Sequence, residues 1–192
     1  MKENFVKIYT ENIHRDGSGE LLGWLERSDF FTAPASAKYH CSHEGGLCEH
    51  SVNVFHRLEH NLSNDDFKIN FDHNPEYPGA ESVAICGLLH DVCKANFYKS
   101  DIRNIKNESG TWEKVPYYAI EEKFPFGHGE KSVFLIERFM KLTVEEAVAI
   151  RFHMGEFESC KSTPEAFRKY PLALMLHIAD MQATFIDERE GN

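Results

Sequence analysis

The sequence predicts an all-α protein interrupted by one small β-hairpin. Three observations carry that expectation. Apolar residues recur at spacings of three and four through most of the chain, as a helix facing a core requires. Glycine- and proline-containing breaks separate these stretches. Only between Tyr98 and Ile120 does the pattern change, to two short β-prone runs around a turn. With 192 residues, 42% of them hydrophobic, the chain can bury one ordinary core.

The first helix is expected from about Glu3 to His14 and is broken by the run Asp16 to Gly19. A second follows, with Leu21, Leu22, Trp24 and Leu25 as its apolar face. Thr32 to Ser36 reads as a loop. Gly45 and Gly46 open the next helix, whose stripe is Leu47, His50, Val54 and Leu58. Asn61 to Gly79, rich in Asn, Asp and Pro, reads as a connection. A helix from near Ala80 turns Val83, Ala84, Gly87, Leu88 and Asp91 inward. In the hairpin, Asn107 to Gly110 is the turn between Asp101–Lys106 and Thr111–Ala119, and Pro116 calls for an edge strand. A helix is expected from about Gly129 to Met140. Thr143 and Glu146 form a capping box opening another, which carries Ala147, Ile150 and His153 and ends at Gly155. Thr163 and Pro164 begin a short turn. The last helix runs from about Pro171 to Glu188.

Composition excludes several classes. A formal charge of −10 disfavours a surface that grips nucleic acid along its length, though an acidic chain can still hold phosphate at a metal. The longest apolar runs, Val83–Leu89 and Leu172–Leu176, are far below the ~20 residues of a membrane span. The N-terminal stretch mixes charge into every turn, unlike a signal peptide. A cytoplasmic protein without a membrane partner is expected. The five cysteines (Cys41, Cys48, Cys86, Cys93 and Cys160) are odd in number and lack C-x-x-C spacing. They read as small apolar residues packed in helices rather than as a disulfide framework or a structural zinc site.

Eleven histidines are present, and their placement points to chemistry. His90 and Asp91 stand together in the apolar run Leu88 to Lys94 (LLHDVCK). Two titratable groups buried there need satisfaction, and a divalent metal offers it to an imidazole nitrogen and a carboxylate oxygen. The alternative for such a dipeptide is the polar edge of a helix. His50 follows Gly45-Gly46-Leu47 on the preceding helix. Asp180 lies among Leu174, Met175, Leu176, Ile178 and Ala179, so it is either exposed on the opposite face or held by a partner.

Taken in order, His50, the pair His90 and Asp91, and the late Asp180 resemble the HD-domain superfamily of metal-dependent phosphohydrolases. The resemblance covers about Tyr39 to Asp187. It implies a helical bundle with a central metal cluster, here one HD domain over 1–192, with the N-terminal helices of 1–38 packed on the core and the hairpin of 98–120 inserted. It further implies metal-dependent hydrolysis of a phosphate ester, a monoester or a diester, most often in a nucleotide. By the same resemblance His128, before a helix, and His153, at the end of the next, bind a second ion that Asp91 bridges to the first. Read alone, His128 has a loop residue as its alternative, and His153 a helix C-cap favoured by the dipole. The cofactor implied is one or two divalent ions, drawn from Fe, Mn, Ni, Co and Zn, with Mg possible. Such an ion brings bound water from a pKa of about 15.7 toward about 7, and Asp91 is placed to orient that water.

Lys94, one turn beyond His90 and Asp91, is a candidate for catalysis and for substrate phosphate, or else a solvated lysine. His43, or Tyr39 with His40, are candidates for the general acid. Lys131 and Arg151 flank the second pair of histidines and are candidates for gripping phosphate, with surface salt bridges as the competing use. His177 is a candidate support for Asp180, whereas His14, His56, His60 and His73 read as surface residues. The hairpin, with Trp112, Tyr117 and Tyr118, reads as a lid, a stacking wall or a contact in a homo-oligomer. A small phosphorylated substrate, a nucleotide above all, is the expected partner. The competing functions are a 3′–5′ exoribonuclease-like phosphodiesterase acting on single-stranded nucleic acid, a non-catalytic nucleotide-binding module, and a di-iron oxygenase.

Overall fold

The computed structural model describes residues 1–63, 79–123, 125–155 and 162–189. It is a helical bundle carrying one two-stranded antiparallel hairpin. The helices are α1 (Lys2–Asn12), α2 (Ser18–Arg27), α3 (Gly46–Ser63), α4 (Ala80–Leu89), α5 (His128–Glu137), α6 (Val144–Phe152), α7 (Thr163–Lys169) and α8 (Pro171–Gln182). A 3-10 turn, Val92–Lys94, follows α4, and a π-helical turn, Ala183–Asp187, extends α8. The core joins Phe5, Leu21 and Leu25 from the first two helices to Leu47, Val54 and Leu58 of α3, Ile85 and Leu88 of α4, and Leu172 and Leu176 of α8.

Most boundaries agree with the expectation. Three differ. Asn61–Ser63 continues α3, because Asn61 is buried and bonds to Gln182 at 2.7 Å, so its side chain is used by packing rather than by a turn. The rest of the expected connection to Gly79, with His73, lies outside the described residues, as does Cys160. Thr163 and Pro164 open the seven-residue helix α7, with proline in the first turn where its missing N–H costs nothing. Finally, the last helix is α-helical only to Gln182 and then widens to π spacing.

Strands β1 (Tyr98–Lys106) and β2 (Trp112–Ile120) pair from Tyr98↔Ile120 to Lys106↔Trp112. Pro116, opposite Ile102, is tolerated because each strand of a two-stranded sheet is an edge. The expected capping box is present: the Thr143 hydroxyl accepts from the Glu146 N–H at 3.2 Å, and Glu146 accepts from the Thr143 N–H at 2.8 Å. Glu146 also bonds to Arg15 and to the Ser82 hydroxyl, tying the segment after α1 to α4 and α6.

Two glycines set the helix spacing that brings the histidines together. A Cβ on Gly87 would stand 2.6 Å from the Phe55 Cα, so only glycine lets α4 approach α3 this closely. A Cβ on Gly129 would stand 2.2 Å from the Arg151 carbonyl oxygen, so α5 meets α6 in the same way. The first contact sets His50 against His90. The second sets His128 against His153, with ring centroids 5.5 Å apart.

Candidate metal centre

His50, His90, Asp91 and His153 are each at most 2% exposed, at the heart of the bundle. The helix ends aim them. His90 Nδ1–H donates to the Gly87 carbonyl at 2.9 Å, and His153 Nδ1–H donates to the Ile150 carbonyl at 2.7 Å. Each bond fixes the ring and leaves the Nε2 lone pair pointing inward, the way metal-binding imidazoles are oriented. His50 is held from behind by Glu188, whose oxygens lie 3.0 Å from Nδ1; Asn53 donates to the same carboxylate.

The inward atoms form two clusters that share Asp91. In the first, His50 Nε2 lies 3.3 Å from His90 Nε2, 3.2 Å from Asp180 Oδ1 and 3.7 Å from Asp91 Oδ2. His90 Nε2 lies 3.6 Å from Asp91 Oδ2. Ligands at about 2.0–2.1 Å from one tetrahedral ion stand about 3.3 Å apart, so these spacings fit a shared cation. In the second, Asp91 Oδ1 accepts from His128 Nε2 at 2.6 Å and lies 3.5 Å from His153 Nε2, with Cys93 beside it. The His153 Nε2 is buried without a hydrogen-bond partner. A lone pair facing a carboxylate at that distance is unfavourable unless a cation or a proton lies between them. The donor set therefore fits divalent metal.

The charges follow from this crowding. Burial opposes a charge on His50, but hydrogen bonds to Asp180 and Glu188 outweigh it and raise the imidazole to about 9. Burial lowers His90 to about 3, so it is neutral and its Nε2 is a free lone pair at neutral pH. Burial likewise opposes charge on His128, yet contacts with Cys93 and Asp91 raise it to about 10. For Asp91, burial would raise the carboxyl, but the Lys94 ammonium together with His90 and His128 holds it well below the carboxylate range. Asp180 is held low in the same way, chiefly by His50.

A cavity of about 670 Å³ opens onto the first cluster, a size suited to a small ligand. His50, Asp91, Asp180 and Glu188 form its polar floor, Met154, Met181 and Phe185 its apolar wall, and Lys38 and Lys94 its positive edge. Lys94 is buried, and its Nζ lies 2.6 Å from Asp91 Oδ2.

The other sequence candidates are placed differently. His43 is exposed, bonds to the Glu44 carbonyl at 3.1 Å and faces Glu49 at 3.6 Å, outside the cavity lining. Its neighbour His40 does line the cavity, stacks on His50 with centroids 4.7 Å apart, and is lowered to about 4, mainly by burial. Lys131 pairs with Glu122 at 2.7 Å over the Phe97 ring, and Arg151 pairs with Glu130; neither lines the cavity. His177 lines it, stacks on Phe167, and donates through Nδ1 to the His153 carbonyl at 2.6 Å, so it steadies the turn bearing His153. No described hairpin residue lines the cavity, and Trp112 and Ile102 project to solvent.

Sequence reasoning missed two groups. Glu188 was visible only as a helix end. Cys93, by its place in an apolar run, has the look of a packing residue, yet it joins Asp91 and His128 in a group able to hold a metal.

The clusters His50–His90–Asp91 and Asp91–Cys93–His128 match the metal-coordination pattern of HD domains, and they form a candidate metal-dependent hydrolytic site. No family profile matches the chain, and no solved structure matches it. Among curated proteins, the chain is similar to a pyridinium-3,5-bisthiocarboxylic acid mononucleotide synthase of Lactiplantibacillus plantarum, at 28% identity over 95 residues, or 46% of this chain. The match spans 34% of that relative's length. Among the described residues, no helix is long and apolar enough to cross a membrane.

Proposed function

We propose that this protein is a metal-dependent phosphohydrolase that cleaves a phosphate ester of a nucleotide-sized molecule with an activated water. One observation carries the reading: Asp91 stands between two buried clusters of nitrogen and oxygen donors, and one of those donors, His153 Nε2, has no partner of its own. His50, His90, Asp91 and Asp180 would hold one ion, and Asp91, His128 and His153 the other. When bound, such ions acidify water to a pKa near about 7 and withdraw charge from phosphate oxygens.

The chain's own groups do the rest. Glu188 and the Gly87 carbonyl orient His50 and His90 without movement. Lys94 is the cavity's nearest cation to Asp91, placed to meet a phosphate oxygen. His40, neutral at neutral pH and lining the cavity, is placed to hydrogen-bond the leaving oxygen. Met154, Met181 and Phe185 give an apolar wall for the organic part of the substrate. A half-open cavity of about 670 Å³ is of a size suited to a small molecule. The stretch shared with the synthase, a third of that enzyme, transfers neither its reaction nor its substrate.

The test begins with metal content. Untagged protein is expected to carry about two ions per chain, falling to about one in His128→Ala. The loaded protein is then offered p-nitrophenyl phosphate, bis-p-nitrophenyl phosphate, mononucleotides and a short single-stranded oligonucleotide. Turnover of a small ester supports the reading. A far higher rate on the oligonucleotide makes it an exonuclease, and nucleotide binding without turnover of any ester makes it a binding module.

A further inference from the structure

We propose that Cys93 is a metal ligand, supplying a sulfur to the second position beside Asp91, His128 and His153. The inference rests on the metal-binding reading above and assigns that position its donor chemistry.

The 3-10 turn Val92–Lys94 is what places the sulfur. It sends Lys94 back to Asp91 and leaves Cys93 facing α5, where its N–H donates to the Ser132 hydroxyl at 3.2 Å. Asp91, Cys93 and His128 each present a ligand atom, all within 4.8 Å of one another. The Sγ lies 3.4 Å from Nδ1 and 3.5 Å from Nε2 of His128. At nearly equal distances from both nitrogens, a sulfur in the ring plane would collide with Cε1 between them. It therefore sits toward the ring face, in contact with both nitrogens rather than in line with one.

The separation has a meaning of its own. A sulfur about 2.3 Å and a nitrogen about 2.0–2.1 Å from one tetrahedral ion stand about 3.5 Å apart. Cys93 and His128 Nε2 already have that spacing, and a turn of the His128 ring that aims its in-plane Nε2 lone pair past Sγ would let both meet one ion. The partnerless Nε2 of His153, fully buried and 3.5 Å from the same Asp91 oxygen, points independently to a cation there. A thiolate among imidazoles and a carboxylate selects zinc, cobalt or ferrous iron over magnesium and manganese. The first position, with two imidazoles and two carboxylates, leans the same way but less strongly, since it offers no sulfur. The two positions then differ in how strongly they discriminate among ions.

The experiment is cobalt reconstitution of metal-free protein, read by absorption spectroscopy. Wild type is expected to take two Co²⁺ per chain and to show a thiolate-to-cobalt charge-transfer band in the near ultraviolet. The band is expected to vanish in Cys93→Ser and to persist in Cys41→Ser, a control for the other thiol near the cavity. X-ray absorption of the wild-type cobalt form provides a reading independent of whether Cys93→Ser folds, with one sulfur scatterer expected for every two cobalts. Two bound cobalts without a band or a sulfur scatterer would overturn the inference and leave the dinuclear reading standing. A band that survives in Cys93→Ser would also overturn it. One bound cobalt without a sulfur ligand would reduce the centre to the nitrogen-and-oxygen position and overturn it as well. Failure to bind cobalt at all would sink both readings.

Discussion

Asp91 and Glu146 are both buried acids surrounded by polar groups, and the groups behave differently. Glu146, fully buried, is satisfied completely. Arg15 grips both its oxygens at 2.7 and 2.9 Å, the Ser82 hydroxyl donates at 2.6 Å, and the Thr143 N–H closes the capping box. Every partner is a donor with nothing left over. Around Asp91 donors and acceptors do not match. His153 Nε2 has no partner, and His90 Nε2 meets only the Nε2 of another imidazole, His50. Burial of a carboxylate does not mark a functional site. Unmatched lone pairs gathered around one do.

The contrast can be tested most sharply at Asp91. Asp91→Asn is expected to lower kcat/KM on a phosphate ester by about a thousandfold or more, which is about 4 kcal/mol of transition-state stabilisation, and to strip the bound metal. An Asn variant that kept two ions and its turnover would erase the distinction. Glu146→Ala should do the reverse. It takes one acceptor from Arg15, which keeps Glu81 and the Lys141 carbonyl, leaves the Ser82 hydroxyl and Thr143 N–H without theirs and uncaps α6, for a loss of about 2–3 kcal/mol in denaturant unfolding of the metal-free protein. Metal per folded chain should not change, and a fall in metal content would mean that the two acids are coupled.

Glu188 tests the boundary between the two roles. It holds His50 from behind and also lines the cavity floor, beside His40. Glu188→Gln is expected to weaken metal binding by about 10–100-fold in chelator competition while the fold survives. An unchanged affinity would make its contact with His50 incidental.

The pH profile of the metal-free protein is a smaller effect with a defined sign. His50 and His128 are raised in the folded state from 6.5 to about 9 and about 10. Groups raised on folding stabilise fully below the unfolded value, and that contribution is lost as pH rises through the folded value. The denaturation midpoint of metal-free protein should therefore fall between pH 6.5 and about 10. The metal-loaded form should show no such decline over that interval, since its imidazoles would hold an ion in place of the proton. Equal slopes in both forms would show that these histidines do not bind metal. Smallest of all is His43→Ala: exposed and outside the cavity lining, it should change stability by less than about 0.5 kcal/mol and turnover not at all. A clear loss of turnover would restore the general acid to that loop position.

What the sequence made legible was local. The stripe bearing His50, the adjacent His90 and Asp91, the capping box and the hairpin turn each lie within a few residues, where periodicity and turn chemistry speak directly. The closure of the site is not local. Glu188 reaches His50 from the far end of the chain, Arg15 reaches Glu146 across most of it, and Cys93 meets His128 only after the hairpin has been traversed. No periodicity ties such pairs together. Cys93 was further masked by its type, since a cysteine in an apolar run is usually packing. Lys131 and Arg151 illustrate the opposite difficulty: their positions beside His128 and His153 were readable, but not the carboxylates of Glu122 and Glu130 that engage them.

The π-helical turn from Ala183 to Asp187 makes the site a gauge of length as well as of residue type. An α-helix repeats every 3.6 residues, and the wider turn absorbs additional chain before Glu188 arrives under His50. Deleting one residue between Asp180 and Glu188 would tighten that turn and rotate the carboxylate off the ring it steadies, with every ligand's identity preserved. Relatives of this protein that share its donors but not this spacing would hold His50 by other means. Comparing them by residue type alone would hide the change.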